Sequence, residues 1–276
     1  MDKFNLSDVL HQTSFYTNKA LGQNFISDTN LLSAIVSDAG IEKEDTVVEI
    51  GTGAGTLTRI IADNAKKVYS FEVDRNLEKV LNITLSGYEN IEVIFKDVLR
   101  MKDDALIEII GDSNFKMIGN LPYYITTPLL LRFIESDFKV DSITIMVQEE
   151  VARRLIAKEG TEDYSSITLA VAMWGDASIT RKVSRNMFFP VPNVDSAVVT
   201  IKRNDSKIEG YDRKKINKLV RSAFAMRRKT LANNLQSGYQ ITKEEAISRI
   251  EKAGFDKNIR GEKLSLKDFL KLSEEF

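Results

Sequence analysis

Apolar positions along this chain fall into two rhythms. Short runs rich in Val, Ile and Phe alternate with segments whose apolar residues recur at helical spacing. Four runs read as buried strands: Thr46–Ile50, Lys67–Phe71, Ile91–Phe95 and Phe115–Gly119. The segment holding Leu31, Leu32, Ile35 and Val36 reads as a helix that Asp28 or Thr29 caps. Strands separated by helices predict an open parallel α/β sheet, which binds ligands at the carboxyl ends of its strands. Beyond the fourth strand, a helix is expected over Thr127–Ile134 with Pro128 near its first turn, a strand over Ser142–Val147 and a helix over Gln148–Leu155. Ile167–Trp174 is apolar enough for the core, and Ala197–Ile201 reads as a further strand. Residues 1–19 read as a polar stretch carrying Phe15 and Tyr16.

Near Arg203–Gly210 the chain turns polar and charged, and from Asp212 onward the rhythm is helical only. Ile216, Leu219, Val220 and Phe224 form one apolar face. Thr242–Glu245 and Ser265–Asp268 each resemble a capping box. The expected organisation is an α/β domain over residues 1–204 and a small all-helical domain over residues 205–276.

Composition narrows the chemistry. The 276 residues are 43% hydrophobic and 29% charged, ordinary for a soluble globular protein. There is no cysteine, so no disulfide framework and no thiolate nucleophile or ligand. The one histidine, His11, lies in the polar N-terminal stretch, which excludes histidine triads and multi-histidine zinc sites. No secretory signal and no apolar run of membrane-spanning length is evident, so a cytoplasmic protein is expected. With a net charge of −1, any nucleic-acid contact must come from local clusters among the 39 Lys and Arg. Three stand out: Arg153-Arg154, the group Arg181, Lys182 and Arg185, and Arg227-Arg228-Lys229. Such runs are usually solvated faces; three of them favour a phosphate-contacting surface.

The candidate chemistry sits at the strand ends. The first strand stops at Gly51-x-Gly53-x-Gly55, which is neither the dinucleotide pattern nor a phosphate-binding loop with Lys-Ser/Thr. The second ends at Glu72, about twenty residues later, where an acid can accept both ribose hydroxyls. The third ends at Asp97-Val98, where the carboxylate can accept from an adenine amino group. The fourth ends at Asn120-Leu121-Pro122-Tyr123, which sets an amide, a backbone carbonyl and a ring side by side. This set suits an adenosyl cofactor without phosphates, S-adenosylmethionine. Phe188-Phe189-Pro190-Val191-Pro192-Asn193-Val194-Asp195-Ser196 reads either as a Pro-rich turn with core rings or as a stiff loop offering a wall to a base pocket.

Asn-Leu-Pro-Tyr, Phe-x-Pro-x-Pro-x-Val-Asp-Ser and Arg-Arg-Lys-Thr-Leu, in that order, resemble the rRNA adenine dimethyltransferases. The likeness is greatest to the bacterial small-subunit (16S) type whose loss gives kasugamycin resistance. It runs from Gly22 to Ser265. It implies a Rossmann-like S-adenosylmethionine-dependent methyltransferase domain with a small all-helical C-terminal domain. It also implies cofactor contacts from Asn24, Ile26, Gly51, Gly53, Glu72, Asp97, Val98 and Asn120. Asn120, Leu121 and Tyr123 would hold the target adenine, and Phe188 would pack on its other face, with Phe189 leaving that choice open. Arg153, Arg154, Arg227, Arg228 and Lys229 would contact RNA. The implied partner is 16S rRNA within the small ribosomal subunit, with no metal and a monomer as the default. Rival readings are a 23S rRNA dimethylase of the macrolide-resistance type, a DNA adenine methylase, which the Leu of Asn-Leu-Pro-Tyr disfavours, and a ribosome-assembly factor acting mainly by binding.

Overall fold

The computed structural model describes residues 5–18, 21–122 and 125–276. Among these, nine strands form: β1 (Phe25–Ile26), β2 (Thr46–Ile50), β3 (Lys67–Glu72), β4 (Ile91–Phe95), β5 (Phe115–Asn120), β6 (Val140–Gln148), β7 (Gly175–Val183), β8 (Phe188–Phe189) and β9 (Ser196–Arg203). Seven make one sheet in the order β4-β3-β2-β5-β6-β9-β7, and β1 pairs with β8 in a small antiparallel ribbon. From β4 to β6 neighbouring strands are parallel, whereas β9 runs antiparallel to β6. The sheet is therefore mixed rather than wholly parallel. A strand buried on both faces carries the same apolar run whichever way its neighbour points, so direction is not written in the pattern.

The helices of the first part are α1 (Leu6–Gln12), α2 (Thr29–Asp38), α3 (Thr56–Ala62), α4 (Glu78–Thr84), α5 (Asp103–Ile110), α6 (Thr126–Glu135) and α7 (Glu149–Leu155). Asp28 caps α2 by accepting the Leu31 N–H at 2.9 Å, and the face carrying Leu32, Ile35 and Val36 is buried. These side chains join Val47, Leu57, Ile61, Val68 and Ile118 in one core. Each such burial is worth roughly 1.5–3 kcal/mol before the cost of ordering. Helix α1 falls in the stretch read as polar. Its Leu6, Val9 and Leu10 pack with Phe25, Leu77, Val80 and Leu81.

The later helices are α8 (Ser166–Trp174), α9 (Arg213–Ala223), α10 (Leu231–Tyr239), α11 (Lys243–Lys252) and α12 (Leu266–Ser273). The chain divides into two compact units, Met1–Ala152 with Ser178–Lys202, and Arg153–Ala177 with Arg203–Phe276. The sequence put the division at 204/205; the segment Arg153–Ala177 instead belongs with the second unit. Tyr164 shows why. Its hydroxyl donates to the Leu264 carbonyl at 2.8 Å and its ring meets Phe224 edge-on, which in turn packs on Phe269. Thr242 caps α11 through the Glu245 N–H, and Ser265 and Asp268 form a reciprocal capping box on α12. No helix among the described residues is long and apolar enough to cross a membrane.

Candidate active site

β2 lies between β3 and β5, so the chain order reverses at β2 and the carboxyl ends of β2 and β5 stand side by side. A crevice at such a reversal is where open α/β sheets bind ligands. A cavity of about 540 Å³ opens there, lined by the ends of β2 to β5 and by the β1 segment. Two glycines make it possible. A Cβ on Gly119 would stand 2.5 Å from the Ile50 carbonyl oxygen, so only glycine lets β5 pass β2 this closely. Gly53 adopts φ +54° in the turn after β2, with the Phe25 ring 3.2 Å from where its Cβ would lie.

Glu72 ends β3 with its carboxylate held by main-chain donors. Oε2 accepts the Gly53 N–H at 2.8 Å, and Oε1 accepts those of Val73 and Asp74 at 2.8 and 2.9 Å. Burial raises its pKa, an effect these N–H groups oppose. An ionised carboxylate only accepts, which suits a ribose diol. Asp97 ends β4 by capping a short 3-10 turn: Oδ1 accepts the Leu99 N–H at 3.0 Å, and Oδ2 lies 3.2 Å from the Arg100 Nε. Val98 is buried beside it. Asn120 ends β5, and its Nδ2 donates to the Asn24 carbonyl at 3.0 Å. With the amine end of the amide engaged, Oδ1 is the end left to accept.

Asn24, Ile26, Gly51, Gly53, Glu72, Asp97, Val98, Asn120 and Leu121 all line this one cavity. Tyr123 lies outside the described residues. Phe188 is 4% exposed, packed with Ile26, Leu32, Met146 and Val183 in the core, and is absent from the cavity wall. Phe189 next to it is 65% exposed. Arg153, Arg154 and Arg227–Lys229 belong to the second unit. There Arg227 to Lys229 are exposed, Arg227 donates to the Glu162 carbonyl, and Arg153 lies 3.7 Å from Asp163.

Several residues here escaped the sequence reading. Gln23 donates to Asp74 at 2.7 Å, tying the β1 segment to the end of β3. Glu49 is fully buried on β2. Its Oε2 accepts from Thr58 and from Ser70, both at 2.6 Å, and Oε1 has no partner. Ser70 spends its one proton on Glu49, so Thr52, at 2.6 Å, donates to Ser70. Burial pushes the Glu49 carboxyl up to about 7, against the pull of the Ser70 and Thr58 hydrogen bonds and aided by the nearby Glu72 charge. The signal was visible: a carboxylate inside the apolar run Val47-Val48-Glu49-Ile50.

The donor and acceptor set fits an adenosyl cofactor. Two strand-end carboxylates, Glu72 and Asp97, offer the acceptors that a ribose diol and an amino group require, and the glycine turn lets a ligand approach the backbone. The carboxylate pair and the lack of a Lys-Ser/Thr loop are wrong for a polyphosphate.

Comparison with known proteins agrees. The family model described as Ribosomal RNA adenine dimethylase matches residues 14–276. The chain is 42% identical to the Ribosomal RNA small subunit methyltransferase A of Clostridium botulinum (strain Kyoto / Type A2), over 98% of each chain. Among solved structures it is similar to a dimethyladenosine transferase from Plasmodium falciparum, with TM-score 0.75 and 26% identity over 90% of this chain and 95% of that one. It is also similar to the 23S rRNA methyltransferase ErmE, with TM-score 0.68 and 27% identity over 91% and 98%.

Proposed function

This chain belongs to the ribosomal RNA adenine dimethylase family, and from that premise we propose that it dimethylates the exocyclic amino groups of adjacent adenines in 16S rRNA, with S-adenosylmethionine as donor. The small ribosomal subunit is then its partner and the cytoplasm its place of work. The 42% identity to a small-subunit enzyme over nearly the whole chain favours this over the 23S type, where the similarity is 27%.

One observation carries the reading: the Asn120 amide is aimed by the Asn24 carbonyl at the cavity edge. An adenine amine is a poor nucleophile because its lone pair is delocalised into the ring. Oδ1 of Asn120 and the Leu121 carbonyl accept its two N–H hydrogens, which favours a pyramidal nitrogen with an available lone pair. Pro122 has no N–H to compete for those acceptors. Glu72 holds the ribose of the donor, and Asp97 with Val98 holds its adenine. When bound, S-adenosylmethionine supplies an already activated methyl group. The protein's part is then alignment, which can contribute roughly 7–11 kcal/mol of barrier lowering. No strong base is required, because the amine sheds its proton only after becoming cationic. The cationic runs at Arg153-Arg154 and Arg227–Lys229 contact rRNA phosphates, and Tyr123 stacks on the target base.

The test is transfer of labelled methyl groups to undermethylated 30S subunits, with the modified bases mapped and 50S subunits assayed alongside. Asn120→Ala abolishes transfer and leaves cofactor affinity within a few-fold. Normal turnover by that variant, or methylation of 50S subunits instead, would overturn the assignment.

A further inference from the structure

Phe189 is a large ring facing water, and the mechanism above does not use it. It sits on β8, whose register against β1 is Phe25↔Phe189 and Ile26↔Phe188. Residues directly opposite in an antiparallel pair project to the same face, with Cβ atoms about 5 Å apart. Phe188 therefore shares the core face with Ile26, and Phe189 shares the other face with Phe25. Phe25 lines the cavity and packs on Phe15 with ring centroids 6.2 Å apart. It also directly follows Asn24, whose carbonyl holds the Asn120 amide. The exposed ring is thus one cross-strand step from the cavity wall, and outside it.

The loop that follows is pinned. The Arg185 main-chain N–H donates to Asp195 Oδ1 at 2.9 Å, and its guanidinium donates to the Asn193 carbonyl at 3.0 Å. The Glu149 N–H donates to the Asp195 carbonyl at 3.1 Å. Val191 and Val194 of the same loop are also exposed, and the exposed Arg185 supplies positive charge, whereas Lys182 is paired with Glu149 at 3.2 Å. A rigidly presented ring on a loop that also carries a cation is what an unpaired nucleotide needs: a surface for its base and a counter-charge for its phosphate. A ring that served only the protein's own core would sit where Phe188 does.

Resting on the rRNA methyl-transfer reading, we propose that Phe189 is a positioning residue that stacks on the nucleobase next to the adenine held at Asn120. The neighbouring base is the partner because the ring lies outside the cavity that receives the reacting one. With two adjacent adenines as substrate, Phe189 steadies one while the other is modified.

The experiment uses the full chain and undermethylated 30S subunits. Phe189→Ala raises KM for the subunit roughly ten-fold, leaves kcat within about two-fold, and leaves cofactor affinity unchanged. Phe189→Trp restores the KM and Phe189→Leu does not, because a base needs an aromatic face rather than bulk. An unchanged KM in Phe189→Ala, or full rescue by Leu, would overturn the proposal. So would a fall in kcat at constant KM, which would put the ring on the reacting base. If the wild-type chain itself transfers no methyl groups to 30S subunits, the parent reading fails; if it does and Phe189→Ala matches it, only this inference fails.

Discussion

Glu49→Gln isolates the energetics of a carboxyl group fully buried on β2. Burial raises the Glu49 pKa from 4.5 to about 7, a gap worth about 3 kcal/mol. Because the folded-state value lies above the unfolded one, the folded chain holds the extra proton between those limits. The contribution to stability is fully present below about pH 4.5 and is lost as pH rises through about 7. Glutamine keeps the shape and an oxygen for Thr58 and Ser70, but cannot ionise. The difference in unfolding free energy between variant and wild type therefore moves by about 3 kcal/mol in the variant's favour between about pH 4.5 and pH 8.5. Subtracting the two chains cancels the part of the Glu72 effect that does not depend on Glu49; the coupling between the two carboxylates stays in the difference as part of what Glu49 contributes. Urea unfolding with circular dichroism measures it, supported by exchange protection of the β2 amides. The single tryptophan, Trp174, lies in the second unit and is the wrong reporter. Stability curves that run parallel across this pH range would show that Glu49 is not held neutral by its surroundings, and the argument would fall.

Gly119→Ala drives a methyl group into the Ile50 carbonyl, 2.5 Å away. Overpacking of this kind costs typically about 1–3 kcal/mol, and spreading the β2 and β5 tips weakens cofactor binding as well; titration calorimetry showing wild-type affinity would refute the close-approach role. Replacing Arg228 and Lys229 together by alanine leaves cofactor affinity intact. It lowers affinity for 30S subunits and reduces the slope of log affinity against log salt by about one per removed cation. An unchanged slope would take these two residues off the rRNA surface.

The strand ends were legible because chemistry and position coincide there. A glycine turn, Glu72, Asp97 and Asn120 each close an apolar run, and a parallel sheet gathers such ends into one place. What escaped had physical reasons. Helix α1 is seven residues long, too short to form by local preference, and is held by Leu6, Val9 and Leu10 packing against Phe25 and α4. Strand β7 alternates exposed positions (Asp176, Ser178, Thr180 and Lys182) with half-buried ones between two buried ends, so its polar half masked its strand character. The placing of Arg153–Ala177 with the second unit depends on contacts such as Tyr164 to Leu264, a hundred residues apart, which no local pattern records. The burial of Phe188 and the exposure of Phe189 follow from the register with β1, a two-residue ribbon that leaves no trace in the periodicity.

The partner that orients the Asn120 amide is a peptide oxygen of residue 24, not a side chain. Every amino acid carries that oxygen, so a point change at position 24 need not disturb the orientation of the amide, whereas any displacement of the main chain there must. The same short stretch is fastened to the ribose-side strand through Gln23 and Asp74. In the function proposed above, aim at the acceptor base and grip on the donor nucleoside thus depend on the path of one strip of backbone near the amino terminus, and deletions that shift that strip are expected to be felt at both ends of the methyl's journey.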